Sequence, residues 1–291
     1  MAKPKVVQEP KVRPAAVAGR FYPRDPAELR NVINGLLAQV TPEPERELQA
    51  PAGAAGAGGT PAPLSGPKAI IAPHAGYLYS GPIAASAHAQ FLSAGDQVQR
   101  VVVLGPAHYV AVEGLATSSA TAFATPLGLV PVDGEAVRRA RSLPQVKESD
   151  EAHEYEHSLE VQLPFLQTVL GQFALVPLAV GDATPEEVGQ VIELLWGGPE
   201  TRFVISSDLS HYYDLQTARR LDTATAKAIE TLDPAGVIEE RACGRIPIRG
   251  LLQAAHRHGL HARTLDLRNS GETAGPRDKV VGYGAFAFEP A

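Results

Sequence analysis

Two imidazoles and one thiol, each in a loop rich in glycine or proline, could together hold a metal ion. His74 lies in the segment AIIAPHAGYLYSG, His108 in VVVLGPAHY and Cys243 in CGRIPI. Two histidines and a thiolate form a three-ligand set that leaves a coordination position open, which suits catalysis better than a purely structural role. No local two-ligand motif such as HExxH or CxxC accompanies them, so the fold must assemble this site from distant loops.

A fourth histidine, His211, follows Asp208 by three residues in the segment ISSDLSHYY. With this carboxylate and several serines nearby, the imidazole could be oriented as a general base. The thiol also has a nucleophilic alternative, because pairing of Cys243 with His74 or His211 would lower the pKa of the thiol and activate it. A lone cysteine is often a small buried apolar residue, so a structural role for Cys243 stays open.

The most charged stretch of the chain is ESDEAHEYEHSLEVQL, residues 148–163. Its histidines, His153 and His157, stand among acidic residues that could bind a cation, or the stretch could be a solvated acidic loop that begins a helix. We expect His153 to lie in a solvated loop or helix start. We expect His157, which adjoins an apolar face, to line the pocket. Tyr77 is a further pocket candidate: such a tyrosine usually packs, but its phenol could donate a hydrogen bond beside a metal.

Short apolar runs, partly β-branched, precede three of these histidines. The pairs are Ala69–Ala72 before His74, Arg100–Leu104 before His108, and Phe203–Ser206 before His211. Runs of this length and composition are typical of buried strands. Because loops that leave the carboxyl ends of strands bind the ligands of α/β proteins, we expect the three histidines to meet at one edge of a sheet.

Amphipathic helices are predicted between the strands. Asp25 and Thr184 have the sequence signature of helix N-caps, each with a proline at the next position and apolar residues at helical spacing beyond it. The alternation of strands and helices predicts an α/β fold with a mixed central sheet flanked by helices. We expect residues 1–16 to be a flexible lead-in and residues 17–291 to be one domain, interrupted by a Pro/Gly-rich insertion at 41–67.

The composition is that of an ordinary globular protein, with 44% apolar and 20% charged residues among 291. A net charge of −6 argues against a nucleic-acid partner, which would require a basic surface. No apolar stretch approaches the ~20 residues of a membrane span, and the polar N-terminus is unlike a secretory signal. The single cysteine excludes an internal disulfide framework and fits a reducing cytoplasm, where we expect the protein to act.

Six segments, in chain order, resemble the Memo family, which comprises mediator of cell motility and its bacterial and archaeal relatives. They are IIAPHAGYLYSG, VVVLGPAHY, EHSLEVQLPFLQ, LVPLAVG, ISSDLSHYY and CGRIPI, and the resemblance runs from about Val17 to Phe288. It implies a fold similar to that of the class III extradiol dioxygenases. Those enzymes hold non-haem iron with two histidines and a glutamate, and use another histidine as acid and base.

Carried over by position, the resemblance implies that His74 and His108 are metal ligands, that His211 is the acid/base residue, and that Cys243 stands where the dioxygenases have glutamate. A thiolate is a softer donor than a carboxylate, so the implied cofactor is iron or copper, with zinc possible, and the case for catechol ring cleavage is weaker. The implied activity is a metal-dependent, dioxygenase-like oxidoreduction.

The alternative is a non-enzymatic module that binds a peptide or protein in the same pocket, as the resemblance implies for some members. The expected ligand is therefore a small molecule or a peptide. Hydrolysis by a zinc-bound water ranks last, because nothing in the sequence resembles a phosphate or leaving-group site.

Overall fold

The apolar runs before the candidate histidines are strands in the computed structural model, which describes residues 11–40 and 66–290. The strands are β1 (Val12–Arg13), β2 (Ala69–Ala72), β3 (Arg100–Pro106), β4 (Leu115–Thr117), β5 (Ala122–Thr125), β6 (Gly128–Pro131), β7 (Val146–Glu148), β8 (Ala174–Val180), β9 (Thr201–Ser206), β10 (His211–Tyr213), β11 (Leu260–Asn269) and β12 (Val280–Pro290). The α-helices are α1 (Pro26–Ala38), α2 (Tyr77–His88), α3 (Gly134–Ala140), α4 (Glu151–Glu154), α5 (Leu163–Leu170), α6 (Pro185–Leu195), α7 (Leu215–Glu230) and α8 (Arg245–Arg257).

Nine of the described strands form one mixed sheet, in the order β10-β12-β2-β9-β3-β8-β4-β7 with β11 paired to β12. Its centre, β2-β9-β3-β8, is parallel, and β12 and β4 add to it in antiparallel orientation. Every residue of β2 is buried, as expected for a central parallel strand that is covered on both faces. The predicted α/β fold with a mixed central sheet flanked by helices is confirmed.

Apolar side chains pack on both faces of this sheet. Successive residues of β2 point to opposite sides, so Ile70 joins one core cluster with Leu29 of α1, and Ile71 joins the other with Ile192 of α6. Each of these side chains is fully buried, which stabilises the fold by about 1.5–3 kcal/mol per residue. This double layer of packing holds the ends of the central strands, and the loops that follow them, in fixed positions.

The helix starts read from the sequence are present. The Asp25 side chain accepts hydrogen bonds from the backbone N–H groups of Ala27 and Glu28, and Thr184 forms a reciprocal capping box with Glu187. Among the described helices, the longest is α7, with 16 residues, and none combines the length and apolar character that crossing a membrane requires.

The last part of the predicted lead-in, where the structure describes it, packs against the rest of the fold. β1 pairs with β5, Val12 lying opposite Ala122, and the Arg13 side chain is buried in an ion pair with Glu160. Residues 1–10 of the lead-in and residues 41–65 of the predicted insertion lie outside the described residues. The division into a lead-in and a single domain stays a prediction.

The expectation that the acidic segment 148–163 is a solvated loop is wrong, because His153 and the second half of the segment are buried in the core. His153, Glu156 and Glu160 are each at most 2% exposed. The His153 ring hydrogen-bonds through Nε2 to the backbone oxygen of Ala116 at 3.0 Å, and both glutamates accept several hydrogen bonds. Buried charge is tolerated here because donors from other parts of the chain satisfy it.

Candidate metal centre

Loops at the carboxyl edge of the parallel strands bring the candidate side chains together. Strand β2 leads to His74, the neighbouring strand β9 leads to Asp208 and His211, and β3 leads to His108. The ring centroids of His74 and His108 lie 5.3 Å apart. The predicted convergence of strand-end loops is therefore found in the fold.

His157, from the buried acidic segment, completes a cluster of three imidazoles. Its ring centroid lies 5.4 Å from that of His74 and 4.7 Å from that of His108. One potential ligand atom from each of the three rings lies within 4.8 Å of the other two. Three atoms so placed lie at most about 2.8 Å from a common point, and a zinc–histidine bond is about 2.0–2.1 Å long, so a small inward shift would close a three-nitrogen site.

Cys243 contacts the histidine cluster at His74. Its Sγ lies 3.4 Å from His74 Nε2, whereas the group of ligand atoms within 4.8 Å of one another consists of the three histidines. Burial and the Asp208 carboxylate raise the pKa of the Cys243 thiol to about 12. A nucleophilic cysteine needs the opposite shift of its pKa, although the His74 ring lies close enough to pair with it, so the nucleophilic alternative also stays a prediction. The role of Cys243 as a metal ligand stays a prediction.

Glu156 holds His108 by both backbone and side chain. Its carboxylate accepts hydrogen bonds from the His108 backbone N–H at 2.6 Å, from His108 Nδ1 at 2.9 Å and from the Ser158 backbone N–H at 2.8 Å. Burial raises the pKa of Glu156, but these donors outweigh it and lower the pKa to about 2. An ionised carboxylate can only accept, so the proton of His108 lies on Nδ1 and its Nε2 is free to bind a metal.

The charge state of the other two rings also suits a metal. Burial lowers the pKa of His74 well below its usual value, and the nearby His108 and His157 rings lower it further. Burial likewise lowers the pKa of His157. Neutral imidazoles are the metal-binding form. Within the described residues, His157 Nδ1 is buried without a hydrogen-bond partner, and its nearest charged group is Glu156 Oε1 at 3.4 Å, so this nitrogen could also bind a metal.

The three histidines line a cavity of about 600 Å³ together with Asp208, His211 and a set of aromatic side chains, Phe21, Tyr109 and Tyr212. This volume falls within the range of small-molecule sites, about 300–1,000 Å³. The Asp208 carboxylate accepts a hydrogen bond from the His74 backbone N–H at 2.8 Å, so it ties the loop after β9 to the loop after β2. The predicted catalytic roles of His211 and Asp208 stay predictions.

Tyr77 does not line the histidine cavity, which corrects its predicted place in the pocket. Its ring packs against Tyr22 and Phe165, and its hydroxyl donates to the Val161 backbone oxygen at 2.7 Å. It borders a neighbouring cavity of about 630 Å³ instead. Phe21 forms an aromatic wall of the histidine cavity, and its ring centroid lies 4.7 Å from that of His157.

A family model described as Memo-like protein matches residues 13–287 of the chain. The chain belongs to the Memo family. A MEMO1 family protein of Methanopyrus kandleri is 37% identical over 296 residues, which cover 95% of this chain and 98% of that protein. Further MEMO1 family proteins of Aeropyrum pernix and Aquifex aeolicus are 38% and 32% identical, over 94% and 96% of this chain and 99% of each relative.

A solved structure also resembles this Memo family member. The crystal structure of an uncharacterised protein from Escherichia coli K12 matches it with a TM-score of 0.53 at 13% identity, over 75% of this chain and 98% of that chain. At this identity the likeness is one of fold alone. The family predicted from the six sequence segments is thus confirmed over most of the chain.

Proposed function

We propose that this Memo family member binds iron or copper at the centre formed by His74, His108 and His157, with Cys243 as a further donor. One observation carries the proposal: three histidine ligand atoms lie within 4.8 Å of one another, with the Cys243 Sγ 3.4 Å from His74 Nε2. Imidazole and thiolate donors favour copper, iron and zinc over magnesium or calcium. Zinc is the redox-inactive alternative for the same donors.

The proposed activity is metal-dependent oxidoreduction of a small organic molecule held in the histidine cavity. A bound iron or copper ion would supply one-electron chemistry that amino-acid side chains lack. His211 shares the cavity and is the candidate to give or take a proton, while Asp208 keeps the His74 loop in place. Phe21 and Tyr109 flank His157 and would contact the ligand and exclude water from it.

Metal analysis of protein purified without chelator tests the proposal. We expect about one iron or copper per chain in wild type, and the same in His261→Ala, which removes an exposed histidine far along the chain on β11. His74→Ala and His157→Ala should each lose the metal, because each removes a ligand. Equal metal content in all four proteins, or no metal in wild type after growth with added iron and copper, would contradict the proposal.

The second candidate is a non-enzymatic module that binds a peptide in the same cavity. Two tyrosines on its rim favour it, Tyr109 being 55% and Tyr212 72% exposed, because exposed aromatic side chains are common anchors at binding interfaces. Binding of a partner that persists after chelation and in Cys243→Ala would support this module over the metal centre. We also propose a cytoplasmic location, which the single cysteine supports.

A further inference from the structure

Behind His74, a chain of buried hydrogen bonds connects its ring to three other side chains. His74 Nδ1 lies 2.9 Å from Ser206 Oγ, and Gln162 Nε2 lies 2.8 Å from the same hydroxyl. At the far end, Gln162 Oε1 lies 2.8 Å from His88 Nε2. All four residues are at most 2% exposed, so protein groups determine the direction of each bond.

A backbone carbonyl fixes the orientation of Gln162. The oxygen of Pro73 lies 3.0 Å from Gln162 Nε2, and a carbonyl oxygen can only accept, so the NH₂ group of the amide must face it. The second N–H of that group then points at Ser206 Oγ. The amide oxygen consequently faces His88 and accepts its Nε2–H.

A second carbonyl fixes the proton of Ser206. Ser206 Oγ lies 2.5 Å from the backbone oxygen of Ser158, so the single hydroxyl proton must lie between these two oxygens. The serine oxygen is then left with acceptor capacity only, and Gln162 uses one part of it. His74 Nδ1 must therefore donate to Ser206, which leaves a lone pair on His74 Nε2, the atom 3.4 Å from Cys243 Sγ.

We propose that Ser206, oriented by Gln162, is a positioning residue that keeps the His74 proton on Nδ1 and presents an unprotonated Nε2 to the cavity. This inference rests on the proposed metal centre for its purpose, since a metal ligand needs that lone pair. Its partner ring is held differently: His108 donates to the carboxylate of Glu156, whereas His74 donates to a neutral hydroxyl. A carboxylate partner makes an imidazole a more basic ligand for a metal ion. His108 should therefore bind a metal more strongly than His74 does.

The tautomer can be read directly in metal-free protein labelled with ¹⁵N-histidine, by long-range ¹H–¹⁵N spectra. We expect His74 to be protonated on Nδ1 in wild type. Ser206→Ala removes the acceptor and should populate the Nε2–H form of His74, while His108, held by Glu156, keeps its tautomer. Ser86→Ala is the matched control. It removes a buried hydroxyl on α2 that donates a hydrogen bond to Asp266 and takes no part in the hydrogen-bond network of His74.

Titration with Zn²⁺ gives the second readout. Loss of an outer partner of a ligand typically costs about 10–100-fold in affinity, and we expect that loss in Ser206→Ala but not in Ser86→Ala. A wild-type His74 protonated on Nε2 overturns the inference, and so does a folded Ser206→Ala protein with unchanged tautomer and affinity. If Ser206→Ala does not fold, the wild-type spectrum decides alone. The expected tautomers in a wild type that binds no metal would support the inference and overturn the proposed function.

Discussion

The side chains of the centre differ in how their protons are controlled. Carboxylate oxygens of Glu156 hold the proton of His108, a serine hydroxyl holds that of His74, and burial keeps Cys243 as a thiol. Two imidazoles thus each have an unprotonated nitrogen that could bind a metal ion, whereas the thiol keeps its proton. A metal ion that binds Cys243 must displace its proton, and the positive charge of the ion favours that loss.

Replacement of Cys243 by serine tests whether sulfur joins the histidines. With Cu²⁺ added, we expect wild type to show the intense charge-transfer absorption of a copper–thiolate bond, and we expect Cys243→Ser to lose it. Copper affinity should fall by at least the ~10–100-fold that loss of an outer partner costs, because a direct ligand is removed. The control is His261→Ala, which should retain both the absorption and the affinity. Identical spectra in all three proteins would show that the centre uses histidines alone.

At this scale the sequence indicated where His74 and His108 lie, because each closely follows a strand whose apolar run is easily recognised. His157 was assigned to the pocket but not to the ligand set, since it follows no strand. The available signal was the neighbouring carboxylate, because Glu156 orients the His108 ring and carboxylates of this kind often accompany metal-binding histidines. Tyr77 was misplaced because a tyrosine at the start of a helix can face either cavity.

Between elements, one buried carboxylate joins the first strand to the segment that carries His157. Glu160 pairs with Arg13 and also accepts hydrogen bonds from the Ala16 and Val17 backbone N–H groups at 2.8 and 3.0 Å, and from the Tyr22 hydroxyl at 2.5 Å. Arg13 in turn donates to the backbone oxygens of His153 and Glu156. These contacts fix the chain on both sides of His157.

Arg13→Met should destabilise the protein by about 3–5 kcal/mol, because it leaves a buried carboxylate without its cation. Urea unfolding followed by circular dichroism measures the loss. Lys11→Met is the matched control: Lys11 also pairs with a carboxylate, Asp150, but both partners are substantially exposed, at 61% and 40%, so its loss should cost about 0–1 kcal/mol. Equal destabilisation by the two substitutions would refute the special role of the buried pair.

The acidic segment shows where prediction from sequence stopped at the level of elements. Helix caps and strands were recognisable because their signals are local: Asp25 and Thr184 cap the helices that follow them. The burial of Glu156 and Glu160 could not be recognised from the sequence. It depends on hydrogen-bond donors from β1 and from the loop after β3, which are distant in the chain. A charged stretch is expected to be solvated unless the groups that would pair with its charges in the fold are known.

For the molecule as a whole, two buried histidines outside the centre link stability to pH. Burial lowers the pKa of both His88 and His153 from 6.5 to about 4. Their neutral forms are therefore favoured in the folded chain, and the unfolded chain binds more protons between pH 6.5 and 4. The stabilisation is complete above pH 6.5 and is lost progressively as the pH falls toward 4, by up to about 3 kcal/mol for each residue.

His153→Gln should flatten that loss, because glutamine does not titrate and its amide N–H can still donate to the Ala116 oxygen. We expect the free energy of unfolding, measured in urea at pH 7, 6, 5 and 4.5, to fall less steeply in this variant than in wild type. His261→Gln, which replaces an exposed histidine, should keep the wild-type slope. A wild-type slope in His153→Gln would show that its burial does not contribute to the acid sensitivity.

The stretch from Val17 to Tyr22 is at once the wall of the cavity and a partner of the core. The Phe21 ring contacts His157, its backbone oxygen accepts the Tyr77 N–H at 2.7 Å, and the next side chain, Tyr22, reaches Glu160. Two exposed arginines, Arg20 and Arg24, flank these aromatics. Cleavage by trypsin after either arginine would expose one side of the three histidine rings. It would also weaken the hydrogen bonds that Glu160 accepts from Ala16, Val17 and Tyr22. Limited proteolysis at this stretch would therefore damage both the histidine cavity and the buried contacts of Glu160 that hold the segment carrying His157.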